Sequence, residues 1–259
     1  REQEKPVEST LTIDNGQALP VTEAGNGTQP VVLVHGWTCN RKHWQPLLDS
    51  APDGTRLIAV DLPGHGDARD VTLPAWTVKA QARALVAALD GIDNPVLVGH
   101  SMGGAVVLEA ARLKPVKAVV LVDTFVIPYG DLDEDTARQI ETPFQEDFAS
   151  GIANLVANNA GPDLSGQARQ SLESDMAAAR QEAILPLWSD LLRWSPQAAF
   201  SDIQCPIHAI NGDLVGDAAR ARCAPHVTEW LQPGTWHFPQ MEQPGIFAHT
   251  LAKVLMACD

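Results

Sequence analysis

The sequence predicts an α/β fold built on a largely parallel sheet, and three observations predict it. Short runs rich in Val, Ile and Leu alternate with segments of helical spacing. One of these runs closes directly into a Gly-His-Ser-Met-Gly turn that opens a small-residue helix, "LVGHSMGGAVVLEA" at 97–110. The alternation then lapses between about 127 and 200, where only helical patterns occur.

The elements follow in order. "STLTI" (9–13) reads as a weak early strand. "PVVLVHG" (30–36), "RLIAVDL" (56–62), "PVLVGH" (95–100) and "VKAVVLVD" (116–123) read as parallel strands buried on both faces, because neither face is polar. "CPIHAIN" (205–211) and "HVTEWL" (226–231) complete the series. Helical spacing marks "TVKAQARALVAAL" (77–89), "GGAVVLEAARL" (103–113) and "GIFAHTLAKVLMA" (245–257). The stretches beginning "DLDEDTARQIETPF" and "GQARQSLESDMAAA" read as helices of an insertion lying over the sheet. The 259 residues thus form one domain, 1–259, with a helical cap at about 127–200.

Composition narrows the function classes. Apolar residues make up 45% of the chain, enough for a sizeable core. The net charge is −14, and the 18 Lys and Arg are spread out, so a nucleic-acid partner is not expected. No apolar run reaches the roughly 18 residues of a membrane span. The opening "REQEKPVEST" is polar and resembles neither a signal peptide nor a helix. A chain that starts at Arg1 fits a mature form after leader cleavage or a trimmed one, so cytoplasmic and exported locations both stay open. The four cysteines, Cys39, Cys205, Cys223 and Cys258, contain no CxxC pair, so neither zinc nor any other metal is expected. A local Cys205–Cys223 disulfide and four separate thiols both remain open.

Gly99-His100-Ser101-Met102-Gly103 fits G-x-S-x-G in the context that motif requires, a strand before it and a helix after it. The glycines leave room for a sharp turn that lifts the Ser101 hydroxyl out of the sheet beside a helix N-terminus. Ser101 is therefore the candidate nucleophile. It needs a base, and His237, on the loop between the last strand and the last helix, is placed to supply one. His35 and His65 lie beside glycines in loops, and His100 should point differently from its neighbour Ser101. His43, His208, His226 and His249 look like ordinary surface or core positions.

"VHGW" (34–37), "DLPGHGDA" (61–68), "GHSMGG" (99–104) and "GTWHFPQMEQP" (234–244), in this order, resemble the α/β-hydrolase fold superfamily over residues 10–257. The resemblance implies eight strands, mostly parallel, with a helical cap after the sixth. It also implies an oxyanion hole made by the backbone N–H groups of Met102 and Trp37. The acid that orients the histidine is less regular. The usual position after the seventh strand falls on Val215 in "INGDLVGD" (210–217), with Asp213 two residues early. Asp217, two late, reads as a helix cap. Asp123, at the end of the sixth strand, is preferred, as in a subgroup of esterase-like members. Asp61, Asp67 and Glu242 read as loop-holding residues.

The expected activity is carboxylic ester hydrolysis through an acyl-enzyme, with a small ester and water as substrates, no cofactor, and a monomer as the default state. Trp37, Met102 and cap residues Trp188, Leu191, Leu192 and Trp194 are expected around the pocket. Ser101 argues against a haloalkane dehalogenase, which carries aspartate there. A cofactor-independent dioxygenase of this fold and a slow-turnover ligand receptor are the alternatives, and perhydrolysis is a possible side activity.

Overall fold

The structure, a computed structural model, describes residues 4–259; the polar reading of residues 1–3 lies outside the described residues. The chain runs β1 (Val7–Thr12), β2 (Ala18–Ala24), β3 (Gln29–Val34), α1 (Gln45–Leu48), β4 (Thr55–Val60), α2 (Val78–Ala88), β5 (Val96–His100), α3 (Met102–Leu113) and β6 (Ala118–Val122). Five helices follow: α4 (Glu134–Glu146), α5 (Phe148–Asn159), α6 (Gly166–Ala177), α7 (Gln181–Arg193) and α8 (Gln197–Asp202). The chain closes with β7 (Ile207–Asn211), α9 (Asp217–Cys223), β8 (Thr228–Leu231), α10 (Pro239–Glu242) and α11 (Pro244–Met256).

The eight strands form one sheet in the order β1-β2-β4-β3-β5-β6-β7-β8. Both pairings of β2, with β1 and with β4, are antiparallel, and all the others are parallel. The central strands are apolar on both faces because helices cover both. Val32, Val34, Ile58, Val60, Leu97 and Leu121 face the side of α2, α3 and the inserted helices. Their alternate neighbours Val31, Leu33, Leu57, Ala59, Val98 and Val120 face α1 and α11, meeting Leu47, Phe247 and Leu251.

Some elements differ from the sequence reading. β2 was not foreseen; "ALPVTEA" alternates buried with part-exposed positions and carries Pro20 and Glu23, so it lacks the continuous apolar run of a central strand. The early strand spans Val7–Thr12 rather than 9–13 and is mostly exposed. β8 is parallel, as expected, but it is an edge strand and only partly covered. Each long helical pattern of the insertion breaks into two helices. Asp147 leaves helical geometry at φ −149° and accepts a hydrogen bond from the Ser150 N–H, ending α4 and capping α5. Asp217 does not cap α9 but occupies its first turn, with Gly216 before it. All four cysteines are free thiols, so no Cys205–Cys223 bridge forms.

Specific contacts fix the insertion to the sheet and its first helices. The Trp37 indole stacks on Trp188 of α7 at 4.3 Å and donates to the Ile184 carbonyl at 2.8 Å. Phe144 meets the same indole edge-on at 5.1 Å. Asp190 accepts from the Val78 N–H at the start of α2, and Glu109 of α3 accepts from the Trp194 indole. No helix among the described residues is long and apolar enough to cross a membrane.

Candidate active site

The site begins at the β5–α3 turn. Ser101 has φ 54° and ψ −121°, a left-handed conformation that costs a non-glycine residue about 1–3 kcal/mol. Its surroundings impose it. The Ser101 N–H donates to the Val122 carbonyl of the neighbouring strand at 2.9 Å, and α3 departs at the next residue. The two motif glycines are needed for close approach: a Cβ on Gly99 would strike the Gly103 backbone, and one on Gly103 would strike the Val34 and His35 carbonyls.

Asp123 ends β6 beside this turn, also left-handed at φ 50° and wholly buried. A buried carboxylate must be paired, and both of its oxygens are. Oδ1 accepts from the Gly212 N–H at 2.9 Å, and Oδ2 accepts from His237 Nδ1 at 2.6 Å. His237 Nε2 lies 3.0 Å from Ser101 Oγ. With Nδ1–H committed to Asp123, Nε2 carries the lone pair that faces the hydroxyl.

The structure therefore brings Ser101, His237 and Asp123 into one continuous hydrogen-bonded chain. Asp213 is not part of it; its carboxylate accepts from the Gly234 N–H at 3.0 Å and holds the loop ahead of His237. Val215 is a buried apolar residue. The His237 loop is held at several further points. Glu242 accepts from the N–H groups of Trp236 and Phe238, at 3.0 and 2.8 Å. Burial of Glu242 raises its carboxyl above the ordinary range, against the pull of those N–H donors. The His237 N–H donates to the Asn159 carbonyl at the end of α5, and the His237 carbonyl accepts from His100 Nε2 at 2.6 Å. These last two contacts were missed from sequence. The sequence reads His100 as pointing differently from Ser101, and its one clue is that it adjoins the serine. Burial pushes the His100 imidazole well below its usual pKa, which suits a neutral N–H donor.

Met102 is the first residue of α3, so its N–H has no acceptor within the helix and sits at the helix's positive end. On the facing loop, His35 Nε2 accepts from the Leu62 N–H, so its Nδ1–H donates to the Gly36 carbonyl, at 2.8 Å. The Cys39 N–H donates to that same carbonyl at 3.1 Å. In a trans peptide the N–H points opposite to the carbonyl, so the Trp37 N–H is turned away from these two donors. Gly36 packs so closely on Ser101 that a Cβ there would lie 3.1 Å from the serine Cβ. Burial lowers His35 to about 3, keeping it in the neutral form this arrangement needs. In the sequence His35 reads only as a histidine beside a glycine in a loop. Asp61 holds the adjoining loop, accepting from the Arg41 N–H at 2.7 Å, the Asp67 N–H at 2.9 Å and the Arg41 guanidinium.

A cavity of about 370 Å³ opens over Ser101 and His237. Its walls are mostly apolar, with Trp37, Ile140, Phe144, Leu155 and Trp188 among them, and Asn154 and Asn158 of α5 add two amides. Of the expected pocket residues, Trp37 and Trp188 line it. The Met102 side chain instead points into the core, Leu191 and Leu192 are on the buried face of α7, and Trp194 turns to Glu109. Among the described residues no cluster of His, Cys, Asp and Glu could hold a metal ion.

An eight-stranded sheet with this strand order, carrying a serine at the β5–α3 turn and a histidine after β8, defines the class. Residues 31–250 match the model of the alpha/beta hydrolase family, and the chain belongs to that family. It is 33% identical over 227 residues to a pimeloyl-[acyl-carrier protein] methyl ester esterase from Aromatoleum aromaticum, covering 78% of this chain and 83% of that one. Among solved structures, a bromoperoxidase from Bacillus anthracis shares the fold at a TM-score of 0.81 and 20% identity, covering 96% of this chain and all of that one. A thermophilic esterase from Thermogutta terrifontis matches at 0.78 and 21% identity, covering 98% and 99%.

Proposed function

We propose that this protein is a serine hydrolase that cleaves small carboxylic esters through an acyl-enzyme. The observation that carries the proposal is the unbroken chain from Ser101 Oγ through the His237 imidazole to the Asp123 carboxylate. His237 takes the serine proton as Oγ attacks the ester carbonyl, and Asp123 stabilises the imidazolium that forms. The N–H groups of Met102 and Trp37 receive the oxyanion, and each such donor contributes about 3–4 kcal/mol to the transition state. His237 then protonates the leaving alcohol. A water molecule, deprotonated by the same histidine, releases the acid and restores the serine.

The esterase activity named for the Aromatoleum relative supports this reaction class. The cavity's size and apolar walls suit a small or medium acyl group rather than a polymer. Residues 127–200 act as the cap that shields it, within a single domain. The test is reaction with a fluorophosphonate followed by peptide mass spectrometry, alongside turnover of short p-nitrophenyl esters. The proposal expects the adduct on Ser101 and loss of turnover in both Ser101→Ala and His237→Ala. Turnover that survives Ser101→Ala but not His237→Ala would point instead to chemistry in which the serine is auxiliary, such as cofactor-independent oxygenation.

A further inference from the structure

Tyr129 follows Asp123 on the stretch that joins β6 to α4. It is 1% exposed, and its ring meets Phe125 edge-on at 6.4 Å and Trp194 at 6.1 Å. The backbone behind the ring is clamped. The Tyr129 N–H donates to the Ile127 carbonyl at 2.8 Å, and the Tyr129 carbonyl accepts from the Arg222 guanidinium at 2.9 Å. Asp131 holds that guanidinium at 2.8 Å, and a Cβ on Gly130 would strike it. The phenol is therefore fixed in place before any ligand arrives.

Its hydroxyl is different. Among the described residues no group hydrogen-bonds it, and burial alone acts on it, raising the phenol above its ordinary pKa. A buried tyrosine hydroxyl ordinarily finds a partner, and a phenylalanine would fill the same place without leaving one unmade. Tyr129 forms part of the wall of the cavity over Ser101, and its oxygen is not among the unpartnered atoms sealed in the core. The cavity is thus where a partner can reach it. The chain of Ser101, His237 and Asp123 makes no use of this hydroxyl.

The rest of the wall narrows the partner's chemistry. No Asp, Glu, Lys or Arg side chain lines the cavity, and burial keeps its His100 neutral. A carboxylate or ammonium on the ligand would enter without a counter-charge, which apolar surroundings make costly. A neutral ligand fits better, with its carbons against Trp37, Phe144 and Trp188 and one oxygen on the Tyr129 hydroxyl. A ligand made only of methylenes would leave that hydroxyl unpaired, and sites with a buried polar group discriminate on this ground.

We propose that Tyr129 is a specificity-determining residue whose hydroxyl donates to a second, neutral oxygen of the ester, that of a ketone, ether or alcohol. The reacting carbonyl oxygen is a separate group and belongs to the Met102 and Trp37 N–H groups. As a substrate contact this rests on the ester hydrolysis proposed above; as an oxygen-binding position in the cavity it does not.

The experiment first measures binding in full-length Ser101→Ala, which cannot form an acyl-enzyme, through quenching of tryptophan fluorescence by ligands beside Trp37 and Trp188. The probes are methyl 3-oxohexanoate, methyl 4-oxohexanoate and methyl 5-oxohexanoate against methyl hexanoate, and 2-methoxyethyl acetate against butyl acetate. For at least one pair, adding Tyr129→Phe is expected to lower the affinity ratio, oxygen-bearing over hydrocarbon, about fivefold. In the enzyme with Ser101 intact the same ratio of kcat/KM should fall in parallel. Because the hydroxyl bonds nothing in the fold, Tyr129→Phe should melt no lower than the unsubstituted chain. A ratio unchanged for every pair would overturn the proposal. So would a melting temperature lower by several degrees, which would give the hydroxyl a role in the fold instead. A ratio that falls in the binding arm while no ester turns over would support the oxygen-binding position and count against the hydrolysis alone.

Discussion

Replacing Asp123 by asparagine probes the least regular part of the site. The carboxylate has two fixed duties, accepting from the Gly212 N–H through Oδ1 and from His237 Nδ1–H through Oδ2. An asparagine has the same shape but only one oxygen. The Gly212 N–H is backbone and cannot turn, so the amide oxygen must stay with it. The amide NH₂ then faces His237 Nδ1. Two N–H groups cannot hydrogen-bond each other, so the imidazole moves its proton to Nε2 and accepts at Nδ1 instead. Nε2 then has no lone pair to take the Ser101 proton. In serine hydrolases this wrong tautomer lowers kcat about 10⁴-fold, which corresponds to about 5.4 kcal/mol of barrier at 1.36 kcal/mol per decade. The assay is kcat for p-nitrophenyl acetate in wild type, Asp123→Asn and Asp213→Asn, with circular dichroism to verify folding. Asp213→Asn should stay within a few-fold of wild type, because its carboxylate holds the Gly234 N–H and not the His237 imidazole. A folded Asp123→Asn enzyme within tenfold of wild type would refute the reasoning.

Three further outcomes follow from the geometry. Ser101→Gly removes the side chain that makes φ 54° costly, so it should be inactive yet about 1 kcal/mol more stable than Ser101→Ala in urea unfolding. Trp37→Ala removes the stack on Trp188 and the bond to Ile184, and should cost about 3–5 kcal/mol, with faster hydrogen exchange in α4 and α7. His35 and His65 are lowered by burial to about 3, and His100 falls well below 6.5 for the same reason. In the unfolded chain all three take up protons below their ordinary 6.5, while in the fold they resist. The stability tied to these three histidines is therefore full above pH 6.5 and falls as pH drops toward 3, by up to about 1.4 kcal/mol per pH unit for each. Urea titrations from pH 7 to 4 should show this slope, and it should become shallower in a folded His65→Asn variant.

The parallel strands were legible because burial on both faces leaves an unbroken apolar run, as in "VVLV" and "AVVLV". β2 escaped because an antiparallel strand near the sheet's edge needs only alternate apolar positions, and a proline and a glutamate obscure even those. The inserted helices could be read from their spacing, but not their orientation. Trp188, Leu191, Leu192 and Trp194 share one stretch, and only docking on Trp37 decides that Trp188 meets the cavity. The meeting of Asp123 with Ser101 has a simple origin in topology. β5 and β6 are adjacent and parallel with His100 opposite Val122, so the next residue on each strand, Ser101 and Asp123, emerges side by side. The backbone contacts made by His35, His100 and Asn159 leave no mark in residue type or spacing, because each depends on a distant carbonyl or amide.

The most direct measurement is the site and rate of fluorophosphonate labelling in wild type and His237→Ala. The account predicts a single adduct on Ser101, formed together with loss of p-nitrophenyl acetate turnover and slowed at least about 10³-fold in His237→Ala. An adduct on any other residue that abolishes turnover, or a Ser101 rate unchanged by His237→Ala, would contradict it.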